Sequence, residues 1–270
     1  MREKEVLSII RQAKKEKWEE LDLSGNDLIS IPADIGKLSN LKRLILGGYF
    51  HGNKLSSLPP EIGELEQLEE LNLRDNLLRD LPKELENLKK LKVLNLSINN
   101  FSEIPSVVFQ LTSLENLELV KIGLKSLPSD IGRLKNLKNL VFSNNQILTL
   151  PGEIFLLQEL TELDFGTNRI TEIPSEIIQL KNLEVLYGRR NQIASLPQEI
   201  GKMSNLYLVD FSENDLRSLP KSFSELKDLG ELSLMGNKYI EENIVPKSVL
   251  DKYMEPEKII SQLGFHGGLE

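Results

Sequence analysis

Residues 68–82 read Leu68-Glu-Glu-Leu71-Asn-Leu73-Arg-Asp-Asn76-Leu-Leu78-Arg-Asp-Leu81-Pro82. Leu71 and Leu73 alternate with Asn72, the period of a strand with one buried face. Asn76 stands where the chain leaves that strand. Its amide both donates and accepts, so a column of such residues can satisfy backbone groups of adjacent coils. Leu78 and Leu81 turn inward, and Pro82 fixes φ at the start of a return path. Moving outward from this copy, asparagine recurs at 26, 53, 76, 99, 145, 168, 191, 214 and 237. The steps are 23 residues, apart from 27 between Asn26 and Asn53 and 46 between Asn99 and Asn145. The skipped position is Ile122. A proline follows six residues after every one of these register positions except Asn237, from Pro32 to Pro220.

No single unit can bury its own leucines, so the units must stack into one continuous core. Residues such as Leu85, Leu88 and Leu91 then line the far side as a helical or 3₁₀ turn. The expected fold is a right-handed α/β solenoid of about ten 23-residue repeats, a horseshoe with a parallel concave sheet and helical N- and C-terminal caps. Repeats occupy 18–240, with Trp18 in the register of the first repeat leucine. Residues 1–17 form an N-terminal helical cap, with Val6, Ile9, Ile10 and Ala13 as its apolar stripe. After Asn237 the rhythm stops. Residues 241–264 read as a C-terminal helical cap carrying Val249, Leu250, Tyr253, Ile259, Ile260 and Leu263, and 265–270 as a flexible tail.

Two departures from the period stand out. At Ile122 the asparagine column is interrupted, which is either tolerated drift or a local weak point. At Gly47-Gly-Tyr-Phe-His-Gly-Asn53 four extra residues precede the asparagine and predict a bulge on the rim. Tyr49 and Phe50 make that bulge either a recognition loop or a self-packed one.

The 270 residues are 40 % apolar and 27 % charged, with 33 basic and 41 acidic side chains and a net charge of −8. That balance disfavours a basic face for nucleic acid or anionic lipid. With no cysteine, thiol chemistry and zinc–thiolate sites are excluded, and only His51 and His266 offer imidazole. No run reaches the roughly 18 apolar residues of a membrane span. Gly47 and Gly52 have the spacing of a phosphate loop, but Asn53-Lys54 follow where Lys-Ser/Thr is needed. No nucleophile elbow, zinc-protease motif or calcium loop occurs. The expectation is a non-enzymatic cytoplasmic protein without cofactor or metal, monomeric or else dimeric, that binds neither nucleic acid nor membrane.

The unit Leu-x-x-Leu-x-Leu-x-x-Asn-x-Leu is the leucine-rich repeat pattern. Its continuation Leu-Pro-x-Glu-Ile-Gly-x-Leu-x-x-Leu, at Leu58–Leu68 and with variations at Leu127–Leu137 and Leu196–Leu206, resembles the Ras-group and bacterial intracellular repeat proteins. The lead-in from Val6 to Asn26 is similar to the start of the repeat domain of bacterial Roco proteins. Gly236-Asn-Lys-Tyr-Ile and Tyr253-Met-Glu-Pro-Glu-Lys-Ile-Ile resemble the segment that follows it. The resemblance implies a signalling module that binds a protein partner, or the regulatory repeat domain of a larger Roco-type GTPase. It carries over no catalytic residue. A carbohydrate- or calcium-binding protein is a third reading.

The register also reads out the concave face. Outward positions lie six, four and two residues before each asparagine, with the second repeat counted from its leucines as Arg43, Ile45 and Gly47. Val185, Tyr187 and Leu208 place apolar area on a face that should be wet. Arg189 and Arg190 adjoin them, and Glu162, Asp164 and Asp210 flank them. An aromatic beside arginine, rimmed by acids, has the composition of a protein-binding hot spot. The alternative is that Tyr187 and Arg189 only stack over neighbouring strands and pair with Asp164 and Asp210.

Overall fold

A computed structural model describes residues 2–49, 51–226 and 228–237. The C-terminal cap, the tail, Phe50 and His266 lie outside the described residues. The chain forms two compact units, Met1–Leu137 and Lys138–Glu270.

The first unit opens with helix α1, Glu3–Glu16, which buries Val6, Ile10 and Ala13. Ile9, on the same stripe, stays partly exposed. Five strands follow: β1 Glu20–Asp22, β2 Arg43–Ile45, β3 Glu70–Asn72, β4 Val93–Asn95 and β5 Asn116–Glu118. They pair in parallel in chain order, with Leu21, Leu44, Leu71, Leu94 and Leu117 in one row. The second unit holds β6 Asn139–Val141, β7 Glu162–Asp164, β8 Val185–Tyr187, β9 Leu208–Asp210 and β10 Glu231–Ser233, again parallel and in order. Both units are leucine-rich repeat solenoid.

Each strand has three residues because only its central side chain points inward before the chain must turn. The turn uses a left-handed residue just before the asparagine register: Asp75, Ile98, Lys121, Asn144, Thr167, Arg190 and Glu213 have φ between 52° and 59°. The asparagine then joins neighbouring coils. Asn99 Nδ2 donates to Leu96 O at 3.0 Å and Leu73 O at 2.9 Å, and its Oδ1 accepts from Leu78 N at 3.0 Å. Asn168, Asn191 and Asn214 repeat the pattern in the second unit. Ile122 fills the same position with a buried apolar side chain.

The return path is a five-residue 3₁₀ turn capped by the repeat proline, as at Lys83–Asn87 after Pro82. The proline carbonyl accepts the first turn bond, from Leu85 N at 3.1 Å. A 3₁₀ turn rises ~2.0 Å per residue against 1.5 Å in an α-helix, so five residues cover more of the way back to the next strand. Leu85, Leu88 and Leu91 are buried beneath it.

The insertion leaves the register intact. Arg43 pairs with Glu70 and Ile45 with Asn72, as counting from the leucines requires. Asn53 rejoins the column, donating to Leu23 O at 2.9 Å and Leu46 O at 2.6 Å. Gly47 and Gly52 press on the next repeat so closely that a Cβ would stand 1.7 Å from Arg74 O and from Asp75 O.

Candidate functional site

Most of the sequence-derived candidates meet on the outward face of β7, β8 and β9 in the second unit. The pairing sets Tyr187 between Asp164 and Asp210, and Val185 between Glu162 and Leu208. All six are partly exposed. Outward positions of a sheet stand roughly perpendicular to it, so these side chains form one surface.

The acids have a local role that the pattern alone did not reveal. Asp164 Oδ1 accepts from Gly166 N at 2.8 Å, and Asp210 Oδ1 accepts from Ser212 N at 2.8 Å. Asp22, Asn72 and Asn95 do the same for Ser24, Arg74 and Ser97. These are Asx turns that end a strand. Tyr187 occupies the same register without that function.

Charge accumulates around Tyr187. Burial pushes the Glu162 carboxyl above its ordinary range, and Asp164 pushes it further. Burial also raises Asp164; Asp210 adds to the rise, while the Gly166 amide, the Ser143 side chain and Arg189 oppose it. The Tyr187 phenol is raised first by burial and then by Glu162, Asp164, Glu231 and Asp210. The phenol therefore sits neutral in a negative field.

The remaining candidates lie elsewhere. Arg189 follows β8 and is exposed. Arg190 is one of the left-handed residues, and its Nε donates to both Glu213 carboxylate oxygens at 2.9 Å. Tyr49 belongs to the first unit. It is 71 % exposed, and the Arg74 guanidinium lies 4.4 Å from its ring centroid.

Tyr207 escaped the sequence reading, and Met235, an outward position of the register, was not singled out by it. Met235 is 45 % exposed and Tyr207 is 52 % exposed. The signal for Tyr207 was Gly230, one period later. A Cβ there would lie 2.4 Å from the Tyr207 ring, so the missing side chain makes room for it.

The core below the site is also distinctive. The inward position three before Asn145, Asn168, Asn191 and Asn214 is Phe142, Phe165, Gly188 and Phe211 in succession, where the equivalent positions of the first unit are Leu23, Leu46, Leu73, Leu96 and Leu119. The Phe142 and Phe165 rings stack at 6.3 Å. A Cβ on Gly188 would fall 2.5 Å from Phe211 and 2.7 Å from Phe165. Two rings fill the space that the glycine vacates, directly beneath the strand that carries Tyr187.

The first unit presents a different face. Arg43 bridges Glu20 at 3.0 Å and Glu70 at 2.8 Å. Along the rim, Lys42 pairs with Glu19 at 2.9 Å and Lys92 with Glu69 at 3.0 Å. A cavity of about 510 Å³ is lined in part by Arg79, Glu103, Phe109, Asp130 and Arg133. Among the described residues, no group of three His, Cys, Asp or Glu side chains is arranged to hold a metal, and no helix is long and apolar enough to cross a membrane.

Family models agree with this architecture. A leucine-rich repeat region matches residues 31–140, and further leucine-rich repeat models match 135–193 and 17–38. No curated protein sequence matches the chain. Among solved structures, a leucine-rich repeat protein of Leptospira interrogans is 26 % identical over 94 % of this chain and 96 % of its own, with a TM-score of 0.46. The plant peptide hormone receptor RGFR1, in complex with RGF2, is 31 % identical with a TM-score of 0.60. That match covers 76 % of this chain but only 38 % of the receptor's. Internalin C2 of Listeria monocytogenes is 27 % identical with a TM-score of 0.60, over 65 % of this chain and 74 % of its own. Repeat period, strand register, asparagine column and family matches agree: the chain is a leucine-rich repeat protein.

Proposed function

We propose that this chain is a non-enzymatic interaction module that holds a protein partner on the outward face of β7–β9, with Tyr187 as the central contact. The observation that carries this reading is the row of Val185, Tyr187 and Leu208, partly exposed side by side on strands whose inward side chains are buried. Apolar and aromatic area on a pre-formed surface gains from burial and loses little conformational entropy on binding. A similar repeat structure, the plant receptor RGFR1, is seen with RGF2.

The test is a pulldown from native extract with the wild-type chain and the Tyr187→Ala, Arg189→Ala double variant. A partner captured by the first and lost by the second supports the reading. A partner held equally by both sinks it and moves attention to Tyr49 and the insertion. A second reading rests on the Val6–Asn26 segment, which resembles the lead-in of Roco repeat domains: the chain would then be the regulatory repeat part of a larger GTPase. A phosphate-loop motif in the gene's reading frame beyond residue 270 would support it.

A further inference from the structure

The two units share a backbone plan but differ in how the outward charges are balanced. In the first, Arg43 lies between Glu20 and Glu70 and contacts both. In the second, Glu162, Asp164, Asp210 and Glu231 occupy outward strand positions, and among the described residues none of the four forms a salt bridge. Arg189 is the cation that acts on Asp164. The carboxylates surround the apolar row of Val185, Tyr187 and Leu208, with Met235 exposed beyond it. Asp164 and Asp210 each commit one oxygen to a backbone amide. Their negative charge is thus a by-product of strand termination at two positions, held in place by the fold.

We propose that the β7–β10 face recognises an extended, basic peptide segment of its partner, in which an apolar side chain lies on Tyr187 between lysines or arginines. This rests on the docking reading above and adds the partner's chemistry. A partner cation adds counter-charge beyond that of Arg189, which acts on Asp164, so electrostatic complementarity selects the partner while the apolar row provides area. The directions in which Glu162 and Asp164 titrate agree, since each carboxylate is held charged against a local preference for the proton. An acidic segment would add like charges to a partly buried cluster and be rejected.

The experiment is selection of a displayed random dodecapeptide library on the wild-type chain, with counter-selection on Tyr187→Ala. The Asp164→Asn, Asp210→Asn double variant keeps both Asx-turn oxygens and removes only charge, and circular dichroism checks that each variant is folded. The expected result is peptides of net positive charge with an apolar residue between basic ones. Their binding by fluorescence anisotropy should weaken about ten-fold in the double variant and fall with added salt. Tyr187-dependent peptides that are neutral or acidic, or basic peptides indifferent to the double variant, overturn the partner's chemistry but leave the docking surface standing. Failure to recover any Tyr187-dependent peptide overturns both. A dimer of the chain that Tyr187→Ala dissolves assigns the face to a second copy and also overturns the proposal.

Discussion

Asp164 ends β7 by accepting the Gly166 amide, and it holds its charge in a partly buried place. Its carboxyl titrates above the ordinary carboxylate range because burial, and then Asp210, disfavour the anion. A raised carboxylate binds its proton more readily folded than unfolded, so its contribution to stability is present at acid pH. That contribution is lost as pH rises from the ordinary carboxylate value through the raised one. Asp164→Asn keeps the acceptor and removes the charge. We expect its melting temperature at pH 7 to exceed that of the wild type by about 1–3 °C, with the gain shrinking toward pH ~4. Paired melting curves at the two pH values check this; an unchanged or lower value at pH 7 would count against burial of the charge. Ile98 poses a separate backbone question. It is β-branched yet has φ of 52°, a region such residues disfavour. Ile98→Asn should stabilise by roughly 1 kcal/mol in urea unfolding, because asparagine tolerates that conformation.

At the scale of the repeat element, the asparagine column and the inward row work together. Asn191 donates to Phe165 O and Gly188 O and accepts from Ile170 N, all in buried surroundings. Asn191→Ala leaves the Ile170 amide unpaired, while Phe165 O and Gly188 O keep the amides of Asn168 and Asn214, and the loss in denaturant unfolding should be about 2 kcal/mol. Ile122 is the natural counterpart, and the sequence marks it only as an interruption. In the structure the strand end beside it is served differently: Val120 N donates to Ser97 Oγ at 3.1 Å, where the outward residue is Glu118 rather than Asp or Asn. Gly188 gives a counter-intuitive expectation. Gly188→Leu restores the repeat pattern on paper but forces a side chain onto Phe165 and Phe211, so it should destabilise by about 1–3 kcal/mol. A stabilised Gly188→Leu variant would show that the two rings do not occupy that space.

At the scale of the whole molecule, each coil is supported by its neighbours, and the ends are where support is one-sided. Helix α1 places Val6, Ile10 and Ala13 in the core at the start of the first unit. The Val6→Ser, Ile10→Ser double variant should lose amide protection in β1 well before β3, read by hydrogen exchange. Uniform loss across β1–β5 would instead mean that the first unit opens as one piece. The rim ion pairs are a contrasting case. Lys42 and Lys92 are raised by hydrogen bonds to Glu19 and Glu69, but all four side chains are well exposed. Such pairs add little to stability, because solvent and salt screen them.

The strand register, the prolines that open each return turn and the asparagine column were all legible in the linear chain. Each is a local steric or hydrogen-bonding requirement that recurs every 23 residues, and repetition makes a weak local signal unmistakable. The closeness of Val185, Tyr187 and Leu208 followed from the same period, whereas the period left the return turns open between a helical and a 3₁₀ form and the structure decides for 3₁₀. Other features depend on what stands one period away. Asp164 and Asp210 read as flanking charges until their oxygens were found on Gly166 and Ser212 amides. Two phenylalanine rings occupy the space that Gly188 leaves in the inward row, and the Tyr207 ring lies where a Gly230 Cβ would stand. The sequence by itself determined the repeat and which positions face outward, since those follow from backbone periodicity. Only the tertiary structure decided which outward charges are compensated and which are left in a partly buried field, because burial and electrostatic potential are sums over neighbours that no single repeat contains.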